Sequence, residues 1–136
     1  MSNDLPTDLE LLNEIYRANL GAFTEFTDDN RTRSTKIWVP IEIESLAKRF
    51  QTDPDMIFGR LYYHLNGKYR IAFKENESLE FFQIRIGKDR HCVNFPYLAS
   101  VLADLREENR RFVIATGIAA LSLVISLVSI GLVLFI

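Results

Sequence analysis

The spacing of apolar residues along this chain changes character repeatedly, and each change marks an element. From Thr7 to about Phe26, Leu9, Leu12, Tyr16, Leu20 and Phe23 recur at three- and four-residue steps, with Glu10, Asn13, Glu14 and Arg17 outside them. That period predicts an amphipathic helix. Thr7-Asp8-Leu9-Glu10 has the form of a capping box, in which Thr7 and Glu10 satisfy each other's backbone donors. The run Thr27–Ser34 has no apolar residue and reads as a mobile surface loop. Ile37–Ile41 predicts a short strand that Pro40 confines to an edge or an end. Ile43, Leu46, Ala47 and Phe50 share one face of a short helix, Ile43 to Phe50. After a turn at Gln51-Thr52, Thr52-Asp53-Pro54-Asp55 is a helix start signal, with the Thr52 hydroxyl as its cap. The helix it opens is expected to reach Leu65 or Asn66 and stop at Gly67.

Beyond Gly67 the period falls to two. Tyr69–Phe73, Leu79–Ile86 and His91–Phe95 predict strands, separated by Glu75–Ser78 and Gly87–Arg90. Pro96 opens a last helix with Leu98, Val101, Leu102 and Leu105 on its inner face. No Gly or Pro interrupts the chain from there to Thr116, so this helix is expected to run on without a break.

The C-terminal stretch has no polar face at all. Phe112–Ile136 contains no charged residue and no Asn, Gln or Pro. Roughly 20 residues at 1.5 Å each cross the ~30 Å hydrocarbon layer of a membrane, and this run exceeds that length. It predicts a transmembrane helix. The chain then divides into a soluble domain over 1–95, a juxtamembrane helix over 96–111 and the span over 112–136.

Charge supplies the orientation. The N-terminus MSNDLPTDLE has neither the basic nor the apolar region of a secretory signal. Arg106, Arg110 and Arg111 flank the N-terminal side of the span, which by the positive-inside tendency sets the domain in the cytoplasm. A tail-anchored, single-pass protein of the inner (cytoplasmic) membrane is expected. The formal net charge of −2 gives no push toward nucleic acid. The single Cys92 excludes an internal disulfide.

The order helix, strand, helix, helix, hairpin resembles a winged-helix (helix-turn-helix) domain, giving an α+β fold closed by a juxtamembrane helix and one span. The resemblance rests on SLAKRFQTDPDMIFGRLYYHLNGKYRIAF, Ser45 to Phe73. Leu46-Ala47-Lys48-Arg49-Phe50 looks like the first helix of the motif, with Ala47 where two helices approach closely. Ile57, Leu61 and Leu65 would form the inner side of the second. The wing is larger than the minimal pattern, and the would-be recognition helix is a poor reader of DNA. Its outer positions are Asp53, Asp55, Met56, Gly59, Arg60, Tyr63 and His64, where groove readers carry Arg, Lys, Asn or Gln. Winged helices also bind proteins, and the charges lean that way, with Met56, Arg60, Tyr63 and His64 as a candidate interaction surface. DNA is not the expected partner.

Catalytic chemistry has little support. His64 and His91 lie in no metal-ligand spacing, no cofactor motif is present, and His91 and Cys92 point to opposite faces of a strand. Asp53 and Asp55 are accounted for by helix capping. The chain is read as a non-enzyme. The adjacent pairs Tyr62-Tyr63 and Phe81-Phe82 are expected each to turn one ring outward or into a neighbouring subunit.

Within the span, Ala115, Ala119, Ser122, Ser126 and Ser129 are spaced at alternating steps of four and three. Such a stripe of small residues lets helices approach closely in lipid, and Ser can bond across the contact. A Ser hydroxyl can equally bond its own helix four residues back. The stripe is read as a self-association face. Three functions stand as alternatives. In the first, a homo-oligomeric protein has spans that cluster and a cytoplasmic domain that senses or binds a protein, an architecture similar to membrane-perturbing effectors of bacterial defence and toxin systems. The others are a membrane-tethered transcription regulator and a passive membrane adaptor.

Overall fold

The computed structural model describes residues 5–136 and has a mixed α+β fold with one long apolar C-terminal helix. Its elements are α1 (Asp8–Glu25), β1 (Trp38–Pro40), α2 (Ile43–Arg49), α3 (Pro54–Gly59), a π-helical segment (Arg60–Leu65) and α4 (Asn66–Tyr69). After these come β2 (Ile71–Lys74), β3 (Glu77–Leu79), β4 (Phe82–Ile86), β5 (Asp89–Asn94) and α5 (Phe95–Phe135). Two compact units result, Met1–Leu102 and Ala103–Ile136.

α1 begins with the capping box, Thr7 Oγ1 accepting from Glu10 N at 3.1 Å while Glu10 accepts from Thr7 N at 3.2 Å. Its buried side chains are Leu11, Leu12 and Ile15. Leu20 is exposed and Leu9 half-buried, so the inner face is rotated from the expected stripe. Tyr16 and Phe23 do face inward, their rings lying against Phe95. The loop after α1 is pinned. Arg33 donates to Ala22 O and Lys36 O, its guanidinium covers the Phe26 ring at 4.7 Å, and Ser34 N donates to Asp89 Oδ2 at 2.7 Å.

β1, β5 and β4 form an antiparallel sheet in that order, so the strand earliest in the chain pairs with the last. Pro40 sits on the edge strand, where its missing N–H breaks no ladder on the open side. β4 and β5 join through Gly87-Lys88. Gly87 has φ +60°, a left-handed conformation that glycine adopts at little cost. β2 and β3 form a separate two-stranded sheet.

α2 and α3 pack around Ala47, which is 2% exposed, as the small residue predicted. The cap on α3 is Asp53, whose side chain accepts from Asp55 N at 2.8 Å, rather than the Thr52 hydroxyl. From Pro54 the chain stays helical to Tyr69, through Gly67 and past the expected stop. Tertiary contacts override the glycine: the Tyr97 hydroxyl donates to Tyr69 O at 2.7 Å, and the Tyr69 ring lies against Phe81 and Tyr97. In the π segment Asn66 N donates to Leu61 O, an i→i+5 bond that fits one extra residue into the turn. In an unbroken α-helix a row at i, i+4, i+8 drifts by roughly 40° per step. The wider turn corrects that drift and keeps Ile57, Leu61 and Leu65 all within 1% of full burial.

The stretch expected as one strand, Leu79–Ile86, is two strands with a break at Glu80-Phe81. Asn66 explains the break. Its Oδ1 accepts from both Phe81 N at 2.9 Å and Phe82 N at 3.0 Å, and its Nδ2 donates to Glu80 Oε2 at 3.0 Å. With strand alternation suspended, both rings are buried, against the expectation that one would turn outward. Tyr62 and Tyr63 do not split: both are exposed, at 37% and 75%, and both rings lie against Phe58. α5 gives Phe95, Leu98, Val101 and Leu102 to the core. The first unit therefore takes in the opening turns of this helix.

Candidate functional site

The four residues proposed as an interaction surface separate into two pairs. Met56 is 55% exposed and Tyr63 75%, and both face solvent. Arg60 instead donates to Pro6 O and pairs with Asp8 Oδ1. His64 Nε2 lies 3.2 Å from Asp8 Oδ2, and Lys68 Nζ lies 3.7 Å from the same oxygen. Arg60, His64 and Lys68 occur at steps of four, so one carboxylate at the start of α1 gathers a row of basic side chains from the facing helix. Burial works to raise the Asp8 carboxyl, but hydrogen bonds and charge from Arg60 and His64 outweigh it and hold it below its usual value. Sequence reading assigned Asp8 to the capping box and passed over Lys68. The signal that could have found the cluster was the four-residue recurrence of basic residues on one side of a helix.

Glu80 forms a second anchored carboxylate. Burial raises it, and hydrogen bonds from Arg70, Ser78 and Asn66 bring it below its ordinary value. Cys92 is fully buried, and burial together with the Asp89 charge pushes its thiol up to about 11. It is protonated at neutral pH and is not a nucleophile in this state. Its neighbour His91 stands at φ +56°, unusual for a residue other than glycine, with its ring against Phe58 and Phe82.

His91 and Phe58 help line a groove of about 540 Å³ that no sequence pattern announces. Pro40, Ile41, Glu42, Ile43 and Glu44 bound it at the β1–α2 junction, with Pro54, Asp55 and Phe58 on α3. Lys88, Asp89, Arg90 and His91 close it from the β4–β5 hairpin. Long-range sheet pairing brings these segments together: Ile41 N donates to His91 O at 2.9 Å, continuing the β1–β5 ladder. Among the described residues no group of three His, Cys, Asp or Glu side chains is placed to hold a metal ion.

The second unit is the rest of α5. An 18-residue stretch reaches mean hydropathy 2.7 with none of it buried, so by length and composition this helix can cross a membrane. It is the single such helix among the described residues, and a membrane anchor is consistent with it. Ala115, Ala119, Ser122, Ser126 and Ser129 are all exposed along it. Ser126 Oγ donates to Ser122 O and Ser129 Oγ to Ile125 O, each at 2.9 Å, so those hydroxyls are satisfied inside their own helix. At the polar end, Arg111 pairs with Glu107 at 2.8 Å, and Arg106 and Arg110 lie on the same helical stretch.

No protein-family model matches the chain, and neither the curated proteins nor the solved structures give a match.

Proposed function

We propose that the chain is a membrane-anchored, self-associating protein whose N-terminal unit is a winged-helix-like module that binds a protein partner. The observation that carries this reading is α5, in which a helix core-forming at its start continues as an uncharged apolar stretch with no burial of its own. An exposed face of that size needs lipid or other helices around it. The winged-helix assignment is supported by topology: β1 pairs with β5 and β5 with β4, beside consecutive helices α2 and α3. β2 and β3 then form an insertion ahead of the wing.

The DNA-reading alternative is disfavoured by how the basic residues of the helix are used. Arg60, His64 and Lys68 face Asp8, while Asp53 and Asp55 hold the helix entry, where phosphates would meet the wrong charge. Met56 and Tyr63 are left as the open side chains, which suits a protein surface. Arg106, Arg110 and Arg111 support a cytoplasmic position for the domain. Self-association runs along Ala115, Ala119, Ser122, Ser126 and Ser129. Because Ser126 and Ser129 bond within their own helix, close packing of small surfaces contributes more to it than bonds across the contact.

Particle mass of the detergent-extracted protein tests this. Ser122→Leu or Ser126→Leu should lower the oligomeric state, while Leu123→Ile, off the stripe, should leave it unchanged. A monomeric wild type, or Ser→Leu variants with unaltered mass, would remove self-association through the span. Depolarisation of membranes by the wild type and its loss in the same variants would separate an effector from a passive adaptor.

A further inference from the structure

The groove bounded by Pro40, Phe58 and His91 has walls of opposite charge that do not neutralise each other. Glu42, Glu44 and Asp55 come from the β1–α2 junction and α3, and Lys88 and Arg90 from the β4–β5 hairpin. None of these five side chains makes a hydrogen bond or an ion pair with another described residue, although the acids and cations line one space. Asp89, beside the two cations, is already committed to Ser34 N. Helix starts explain part of the acidic wall, since Glu44 and Asp55 lie in the first turns of α2 and α3. Glu42 is the N-cap residue of α2, where its charge also suits the helix start, though its side chain makes no capping bond. Helix starts do not explain Lys88 and Arg90, which have no helix end to complement.

Aromatic and proline side chains complete the lining. Phe58 and His91 meet edge to face at 5.6 Å, with Pro40 and Pro54 alongside. A volume of about 540 Å³ falls in the ~300–1,000 Å³ range of ligand sites. We propose that this groove takes a short extended segment of a partner protein, its basic side chain directed to Glu42, Glu44 and Asp55 and its acidic side chain to Lys88 and Arg90. The ring faces and prolines receive the backbone and aliphatic stems between them. A nucleic acid would meet the carboxylates with like charge, and an all-basic segment would leave Lys88 and Arg90 opposed. The assignment rests on the reading of this unit as a protein-binding module, and names where the partner sits.

The test uses the full chain in detergent micelles and acetylated, amidated heptapeptides Ala-Lys-Ala-Phe-Ala-Glu-Ala, the same with Lys and Glu exchanged, and a control with Ser at both positions. The Ile41 and Ile43 methyl resonances, both in the groove lining, report binding. One of the charged peptides should bind roughly three- to tenfold more tightly than the Ser control at low salt. Glu44→Lys and Arg90→Glu should each abolish that preference while retaining the folded methyl spectrum. Equal binding of charged and neutral peptides, shifts confined to methyls outside the groove, or an unchanged preference in both variants would overturn the proposal. Particle mass separates the two readings. An oligomer that ignores the peptides loses only the groove assignment, and a monomer that binds them loses only the self-associating span.

Discussion

Replacing Asn66 with Ala tests whether one amide side chain joins the helical half of the first unit to its sheet. Asn66 Oδ1 is the acceptor for Phe81 N and Phe82 N, and the two residues it holds are buried to within 1%. Alanine leaves both donors without a partner. An unsatisfied buried donor costs about 1–3 kcal/mol, and these bonds are only partly buried, so the pair loses about 2–4 kcal/mol. Against a typical domain stability of ~5–15 kcal/mol that is a large fraction. Asn66→Asp keeps the acceptor but sets a carboxylate against Glu80, so its cost should fall between wild type and Ala, and should shrink as Glu80 is protonated. Urea unfolding in micelles, followed by fluorescence of the single Trp38, gives the values. An Ala variant within about 0.5 kcal/mol of wild type, or an Asp variant less stable than Ala at neutral pH, would refute the argument.

Two further outcomes are expected of the same unit. The Asp8 carboxyl is depressed in the fold, so the stability it contributes is present above the unfolded value near ~3.9 and is lost as pH falls through its lower folded value. Asp8→Asn should therefore cost about 1.5–3 kcal/mol at pH 7, with the gap to wild type closing below about pH 4 in parallel unfolding curves. A gap independent of pH would show that the cluster does not depend on the charge. Gly87→Ala places a Cβ 2.7 Å from Ser34 Oγ at φ +60°, and should lower stability by at least ~1–2 kcal/mol in a thermal melt. Adding Ser34→Gly should recover only the part due to contact and not the backbone strain.

Local physics was readable wherever a short stretch decides its own conformation. The capping box at Thr7 and Glu10, the edge position of Pro40, the close approach at Ala47 and the apolar run of α5 are all set by neighbouring residues. What was missed depends on partners distant in the chain. Asp8 reads as a helix cap until Arg60, His64 and Lys68 arrive opposite it. Gly67 reads as a stop until Tyr97 supplies a donor to Tyr69 O. Phe81-Phe82 reads as an alternating pair until Asn66 interrupts the strand. The groove is the extreme case, since its walls come from segments joined only by the pairing of β1 with β5. The span shows the opposite: its composition declares where it can reside, and the same composition suits a dimer as well as a larger ring.

The single extra residue in the Arg60–Leu65 turn makes the effect of a length change depend on where along this helix it falls. Its first half is phased to α2 through Ile57, and its second half to the sheet through Asn66. Removing one residue from the wide turn would restore uniform winding and keep the two halves nearly in phase. Removing one from a regular turn would instead swing everything beyond it by roughly 100° about the axis. In the second case Asn66 would turn away from Phe81 and Phe82, and Lys68 away from Asp8, although every remaining side chain kept its identity. Substitutions in this helix would be felt one contact at a time, whereas a one-codon deletion outside the wide turn would break two sets of contacts at once.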